Sequence, residues 1–290
     1  MTPTELLARV EAAVGLQGPP RSLREVLEAE MRRHFQQLPI RAAEQAERLE
    51  ERVRQRITEK QQEMENAGTI PVVIIHHASI RRVAGSCWVD PIDTEVVAAA
   101  KQGRVHVQQI LAALRALTPD QFERFGSRVL RELGAEQVQV TRRSGDNGVD
   151  FYGFLSLGGI MQHPPAICQL AHNIRLLFAG QAKHYPNTAI GPATIREMIG
   201  AIALARFQVY SSEPDFFEEF KLLPYNPLLA LLFTTGRFTR GAMEIADSAG
   251  IIARSGQQLA AFLADRSVGM VVNDGVTTFV PERFLEWLNG

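Results

Sequence analysis

Two short stretches hold side chains that could do chemistry together. In "RRSGDNGVDFYGFLSL" (142–157), Asp146 lies in a Gly-rich turn and Asp150 opens an apolar, aromatic run. Further on, "LLFAGQAKHY" (176–185) places Gln181 and Lys183 two residues apart. On a strand that spacing puts both side chains on one face. A carboxylate, a second oxygen ligand and an ammonium would then converge where two strands splay apart. Hard divalent cations favour such oxygen environments. A lysine beside one can orient water or stabilise charge building on a phosphate, which suits metal-assisted attack of water on a phosphodiester. The same spacing suits a surface salt bridge between Asp150 and Lys183, and spacing alone leaves both readings open.

The elements that must position these groups follow from patterning. "LTPDQFERFGSRVLRELG" predicts a helix with Thr118 as N-cap, Pro119 at the first position and Gly134 as the stop. Phe122, Phe125, Val129 and Leu133 line its apolar face, and Glu123 lies off that stripe. After it come a period-two strand "EQVQVTR", the turn, strands at 149–157 and 176–184, and a helix from Pro192. The apolar strand "LLALLFTT", the helix "TRGAMEIADSA", the strand "GIIAR" and the helix "SGQQLAAFLAD" complete the run. The order α-β-β-β-α-β-α-β-α predicts an α/β domain, a mixed sheet covered by helices on both faces.

The first 117 residues read as mainly helical. "TPTE" and "SLRE" have capping-box spacing. The segment 41–65 carries a narrow stripe of Ala42, Ala46, Leu49, Val53 and Ile57 in mixed charge. A stripe that narrow suits a helix packed on another helix, on its own copy or on the body. With one catalytic cluster per chain, cutting a duplex needs two clusters or two visits, so a homo-oligomer through these N-terminal helices is expected. "TIPVVIIHHA" (69–78) reads as a buried strand. His76 and His77 at its end should point to opposite faces, so at most one could serve a given site. A helix pair jointed near Gly103 follows.

Composition bounds the rest. A 290-residue chain with 46% hydrophobic and 22% charged residues is ordinary for a soluble protein with ample core. The apolar run at 70–75 is too short to cross a bilayer and no signal peptide opens the chain, so a cytoplasmic location is expected. Cys87 and Cys168 are the only cysteines, which favours free thiols in a reducing compartment. His163, Cys168 and His172 match no zinc spacing. The net charge is −1. Residues 118–210 hold nine basic and seven acidic side chains against six and ten in the last eighty residues, so any polyanion site is local.

The run from "LTPDQFERFG" through "SGDNGVDFYG", "FAGQAKHY" and "IGPATIREMIGA" to "LLFTTGRFTRGAMEIADSAGIIARSGQQLAAFL" resembles the Mrr-type restriction endonuclease domain of the PD-(D/E)xK nuclease superfamily. The resemblance covers 118 to about 264 and implies a restriction-endonuclease-like mixed sheet flanked by helices, with 118–290 as the nuclease domain. It makes Asp150 the metal-binding aspartate and Lys183 the catalytic lysine. Gln181 stands where the wider superfamily has Glu or Asp. Its amide oxygen carries no charge, so Glu123 and Asp146 are the supporting acids and the carbonyl of Ala182 a further ligand. Arg142, Arg143, His184 and Arg196 flank the site and could meet phosphates, while Thr234, Thr235 and Thr239 cap and shape the sheet edge. The expected activity is Mg²⁺-dependent DNA cleavage, with Mn²⁺ as a substitute ion, in restriction or antiphage defence. A nuclease-fold protein that binds DNA or a partner without cutting is the alternative, and an RNA-directed nuclease a third reading. Residues 1–117 and the insertions 158–173 and 211–227 are unexplained by the resemblance; in such proteins added parts recognise modified DNA or answer to a defence-system partner protein.

Overall fold

The computed structural model describes residues 2–141, 148–156, 174–206 and 226–290. Arg142, Arg143, Asp146, the His163–Cys168–His172 group and most of both insertions lie outside the described residues. The chain divides into two compact units, Met1–Ile110 with Ala260–Arg283, and Leu111–Leu259 with Phe284–Gly290. The division falls a few residues before the 117/118 boundary expected from the sequence, and it returns 260–283 to the first unit.

In the first unit, α1 (Pro3–Val14) begins at a complete Thr2–Glu5 capping box, and α2 (Leu23–Phe35) at Ser22, whose hydroxyl accepts the Glu25 N–H. The long helix α3 (Pro39–Asn66) turns its stripe inward. Ala42, Ala46, Val53 and Ile57 are buried, with Leu49 packed alongside, in one cluster with Leu6, Val10, Leu27 and Met31 of α1 and α2. The stripe that suggested an oligomer seam is therefore covered within the chain. Each fully buried Leu, Val or Ile contributes about 1.5–3 kcal/mol, so this cluster holds the three helices together.

The first 117 residues are not wholly helical. Strands β1 (Arg21–Ser22), β2 (Val73–Ile75) and β3 (Arg82–Gly85) form a sheet in the order β1-β3-β2. Strand β2 stops at Ile75, short of the histidines. The alternation expected to separate His76 from His77 therefore no longer applies, and their ring centroids lie 4.2 Å apart. Beyond β3, α4 (Glu95–Arg104) and α5 (Val107–Ala116) form the expected pair jointed next to Gly103. Their joint residue His106 meets the Thr277 carbonyl at 2.8 Å through Nε2.

The second unit is a five-stranded mixed sheet. Helix α6 (Pro119–Glu132) leads into β4 (Glu136–Val140), β5 (Phe151–Ser156) and β6 (Arg175–Lys183). A short β7 (Ala189–Ile190) and α7 (Pro192–Arg206) follow, then β8 (Leu228–Thr234) and β9 (Arg237–Phe238). Helix α8 (Arg240–Ala249), β10 (Ile252–Arg254) and α9 (Gly256–Asp265) complete the α/β run. Of the last elements, the hairpin β11 (Met270–Asn273) and β12 (Val276–Phe279) belongs to the first unit, and α10 (Pro281–Asn289) lies mostly in the second. The sheet order is β10-β8-β6-β5-β4, antiparallel from β4 to β6 and parallel from β6 to β10. The expected elements occur in the expected order among the described residues, with the short pair β7 and β9 added to them. Among the described residues no helix is long and apolar enough to cross a membrane.

Candidate active site

The central strand β6 carries the Gln-x-Lys pair at its C-terminal end, in register with β8, where Gln181 pairs with Leu232 and Lys183 with Thr234. On its other side β5 pairs antiparallel, Phe151 opposite Gly180. The face assignment comes from packing. A Cβ at Gly180 would lie 2.1 Å from the Phe151 ring, and one at Gly126 of α6 would lie 2.2 Å from it. The ring is thus clasped between α6 and β6, a space only two glycines leave open. Phe151 faces α6, so alternation turns Ala182 the same way and Gln181 and Lys183 to the opposite face.

Asp150 lies one residue before β5, where pairing with β6 ends. Its N–H donates to the Gly180 carbonyl at 2.8 Å. Its Oδ2 accepts the Ala182 N–H at 2.6 Å. The carboxylate thus substitutes for the strand that has peeled away and locks itself onto the residue between Gln181 and Lys183. An extended residue directs its N–H and C=O to the same edge, so the Ala182 carbonyl also faces the Asp150 side. Thr141 closes the base of the turn, its N–H donating to the Asp150 carbonyl at 2.9 Å and its hydroxyl to the Val149 carbonyl at 2.6 Å.

Gln181 is buried, and its Oε1 has no hydrogen-bond partner among the described residues. Its amide lies against Gly148, where an added Cβ would be 3.4 Å from Nε2. An enclosed acceptor left unsatisfied costs about 1–3 kcal/mol. A cation or an ordered water beside Asp150 would satisfy it. The oxygens of Asp150, Gln181 and Ala182 are hard donors of the kind Mg²⁺ takes. Lys183 is half-buried on the same face as Gln181.

His184 packs its ring against Phe122 of α6, centroids 5.9 Å apart, and its Nε2 is enclosed. It sits on the α6 side of the sheet, away from the Gln181–Lys183 face. Glu123, half-buried on α6, neighbours Phe122. Arg196 is exposed on α7. Thr234 accepts the Gly236 N–H at 3.2 Å and Thr239 caps α8 through the Ala242 N–H, so both shape backbone as expected. Sequence reasoning missed the Gly126–Phe151–Gly180 clasp that aims Asp150. Its only trace was two glycines in otherwise regular elements.

Residues 114–211 match the family described as Restriction endonuclease, Mrr_cat. No curated protein matches the chain. Among solved structures, the chain is similar to the MspJI restriction endonuclease in complex with a 27-mer oligonucleotide, at 21% identity over 62% of this chain and 35% of that one, TM-score 0.34. It is also similar to the DNA modification-dependent restriction endonuclease AspBHI, at 20% identity over 72% and 45% of the two chains, TM-score 0.40. A third similarity is to the restriction endonuclease FokI, at 10% identity over 90% and 42%, TM-score 0.35. The chain spans less than half the length of each of these proteins. The stretch that holds Asp150, Gln181 and Lys183 lies within the part of the chain, residues 114–211, that matches the Mrr-type restriction endonuclease family.

Proposed function

We propose that this protein is a Mg²⁺-dependent DNA endonuclease that hydrolyses phosphodiester bonds, acting in the cytoplasm in restriction or antiphage defence. The observation that carries the reading is the hydrogen bond from the Ala182 N–H to Asp150, which brings the acid against the Gln-x-Lys strand beside an unsatisfied buried amide oxygen. Asp150, Gln181 Oε1 and the Ala182 carbonyl would hold the ion, with Mn²⁺ as a substitute. A divalent cation bound there supplies Lewis-acid polarisation of the phosphodiester and eases deprotonation of water. Lys183 places a positive charge on the same face, where it stabilises negative charge building on the phosphoryl oxygens and orients the attacking water. Exposed Arg196 supplies a phosphate contact outside the site.

The test is nicking of supercoiled plasmid by the purified chain with EDTA, Mg²⁺ or Mn²⁺, alongside Lys183→Ala. Cleavage only with metal, slowed on the order of a hundredfold in the variant, supports the reading. Equal rates for parent and variant would sink it. DNA retention without cleavage under every condition would instead support a binding role, the outcome favoured by the uncharged Gln181.

A further inference from the structure

The first unit holds a second cluster of ligand-type side chains. One donor atom each from His76, His77 and Asp90 lie within 4.8 Å of one another. His76 Nε2 is 3.0 Å from Asp90 Oδ2, and the two imidazole rings are tilted by 39° at 4.2 Å between centroids. We infer that His76, His77 and Asp90 form a zinc site that ties the end of β2 to the loop following β3.

Donor type comes first. Two imidazole nitrogens and one carboxylate oxygen suit Zn²⁺ and its neighbours, whereas the all-oxygen set at Asp150 suits Mg²⁺. Tetrahedral ligands at bonds of about 2.0 Å lie roughly 3.3 Å apart, so the cluster closes around an ion with small side-chain rotations. His76 is buried, Asp90 half-buried and His77 exposed. That gradient leaves a fourth position open to water, as in sites with three protein ligands.

The carboxylate is already oriented. Its Oδ1 accepts the Ile92 N–H at 3.1 Å, leaving Oδ2 for the cluster. The Asp90 N–H donates to Asp93 Oδ2 at 2.7 Å, and Lys101 Nζ of α4 donates to that same oxygen at 2.7 Å. Outer partners of this kind set ligand direction in metal sites.

The competing account is a plain His–Asp hydrogen bond that staples the loop. The Ala78 N–H points at His76 Nδ1 at 3.3 Å, which leaves the ring proton on Nε2, donating to Asp90. A metal at Nε2 moves that proton to Nδ1 and gives up the Ala78 contact, which is longer than the usual range for such a bond. The staple needs only His76. It offers no reason for the exposed His77 ring to fold over its neighbour towards one shared carboxylate, whereas a metal does.

The experiment uses the full chain, stripped with EDTA, titrated with Zn²⁺ by calorimetry and with Co²⁺ by visible absorption. One Zn²⁺ per chain is expected, with Co²⁺ bands of low coordination number and a higher melting temperature in the presence of zinc. His77→Ala, on an exposed side chain, and Asp90→Asn should each weaken binding by about tenfold or more. Circular dichroism checks that both remain folded. Asp150→Asn and Cys168→Ser should bind zinc as the parent does. No zinc uptake, uptake unchanged in His77→Ala, or uptake lost in Asp150→Asn or Cys168→Ser would overturn the site. Because the readout is metal binding in the first unit, its failure leaves the nuclease reading standing, and the converse holds.

Discussion

Asp150 Oδ2 and the Ala182 N–H are 2.6 Å apart, so the acid that opens one strand is fastened to the backbone of the next. That bond gives Asp150 two separable jobs, satisfying a backbone donor and offering charge. Asp150→Asn keeps an oxygen for the Ala182 N–H and loses the charge. It should melt close to the parent and lose metal-dependent cleavage on the order of a hundredfold. Asp150→Ala should lose the same activity and also about 1–3 kcal/mol of stability, because the Ala182 donor is left unmade. Parallel denaturant melts and plasmid assays separate the two.

Gln181 offers a neutral oxygen where a charged one would bind a hard cation better. Gln181→Glu is expected to lower the Mg²⁺ concentration for half-maximal cleavage. A variant that stays folded yet needs more Mg²⁺ would mean that Gln181 orients water or DNA instead.

Gly126 sits inside α6, where Ala is ordinarily better by about 1 kcal/mol on propensity. The Phe151 ring 2.2 Å from the added Cβ reverses that sign. Overpacking of this kind costs about 1–3 kcal/mol, so Gly126→Ala should destabilise. Adding Phe151→Leu, which vacates ring volume, should make the double variant's loss smaller than the sum of the singles. Additive losses in urea melts would place the ring elsewhere.

The inward stripe of α3 makes a contrary prediction to an oligomer seam. Val53 is fully buried among α1–α3, so Val53→Asp should cost about 3 kcal/mol or more by burying an unpaired charge. A seam between copies would show instead as an unchanged melt with a lower mass by light scattering.

Lys101 holds the Asp93 carboxyl below its ordinary value of 3.8, chiefly by hydrogen bonding. A carboxyl depressed on folding stabilises fully above its unfolded pKa and loses that contribution as pH falls through the folded one. Asp93→Asn should therefore lower the melting temperature at pH 7, with the gap closing as pH falls below 3.8. A gap that widens in acid would contradict the pairing.

Patterning alone carried the element order from Thr118 onwards, because hydrophobic period and capping residues such as Thr118 and Thr239 act within a few residues of themselves. The Asp, Gln and Lys were legible for the same local reason, since their spacing along two strands is a sequence property. Which face of the sheet they share was not legible, because it depends on Phe151 lying between Gly126 and Gly180, residues far apart in the chain. The β2 terminus at Ile75 was equally hidden. Strand length is set by pairing with β3, and an end three residues earlier than expected brought His76 and His77 together instead of apart. The α3 stripe could be read as a contact surface, but its partner could not, since apolar surface is non-directional and α1 and α2 cover it only once folded.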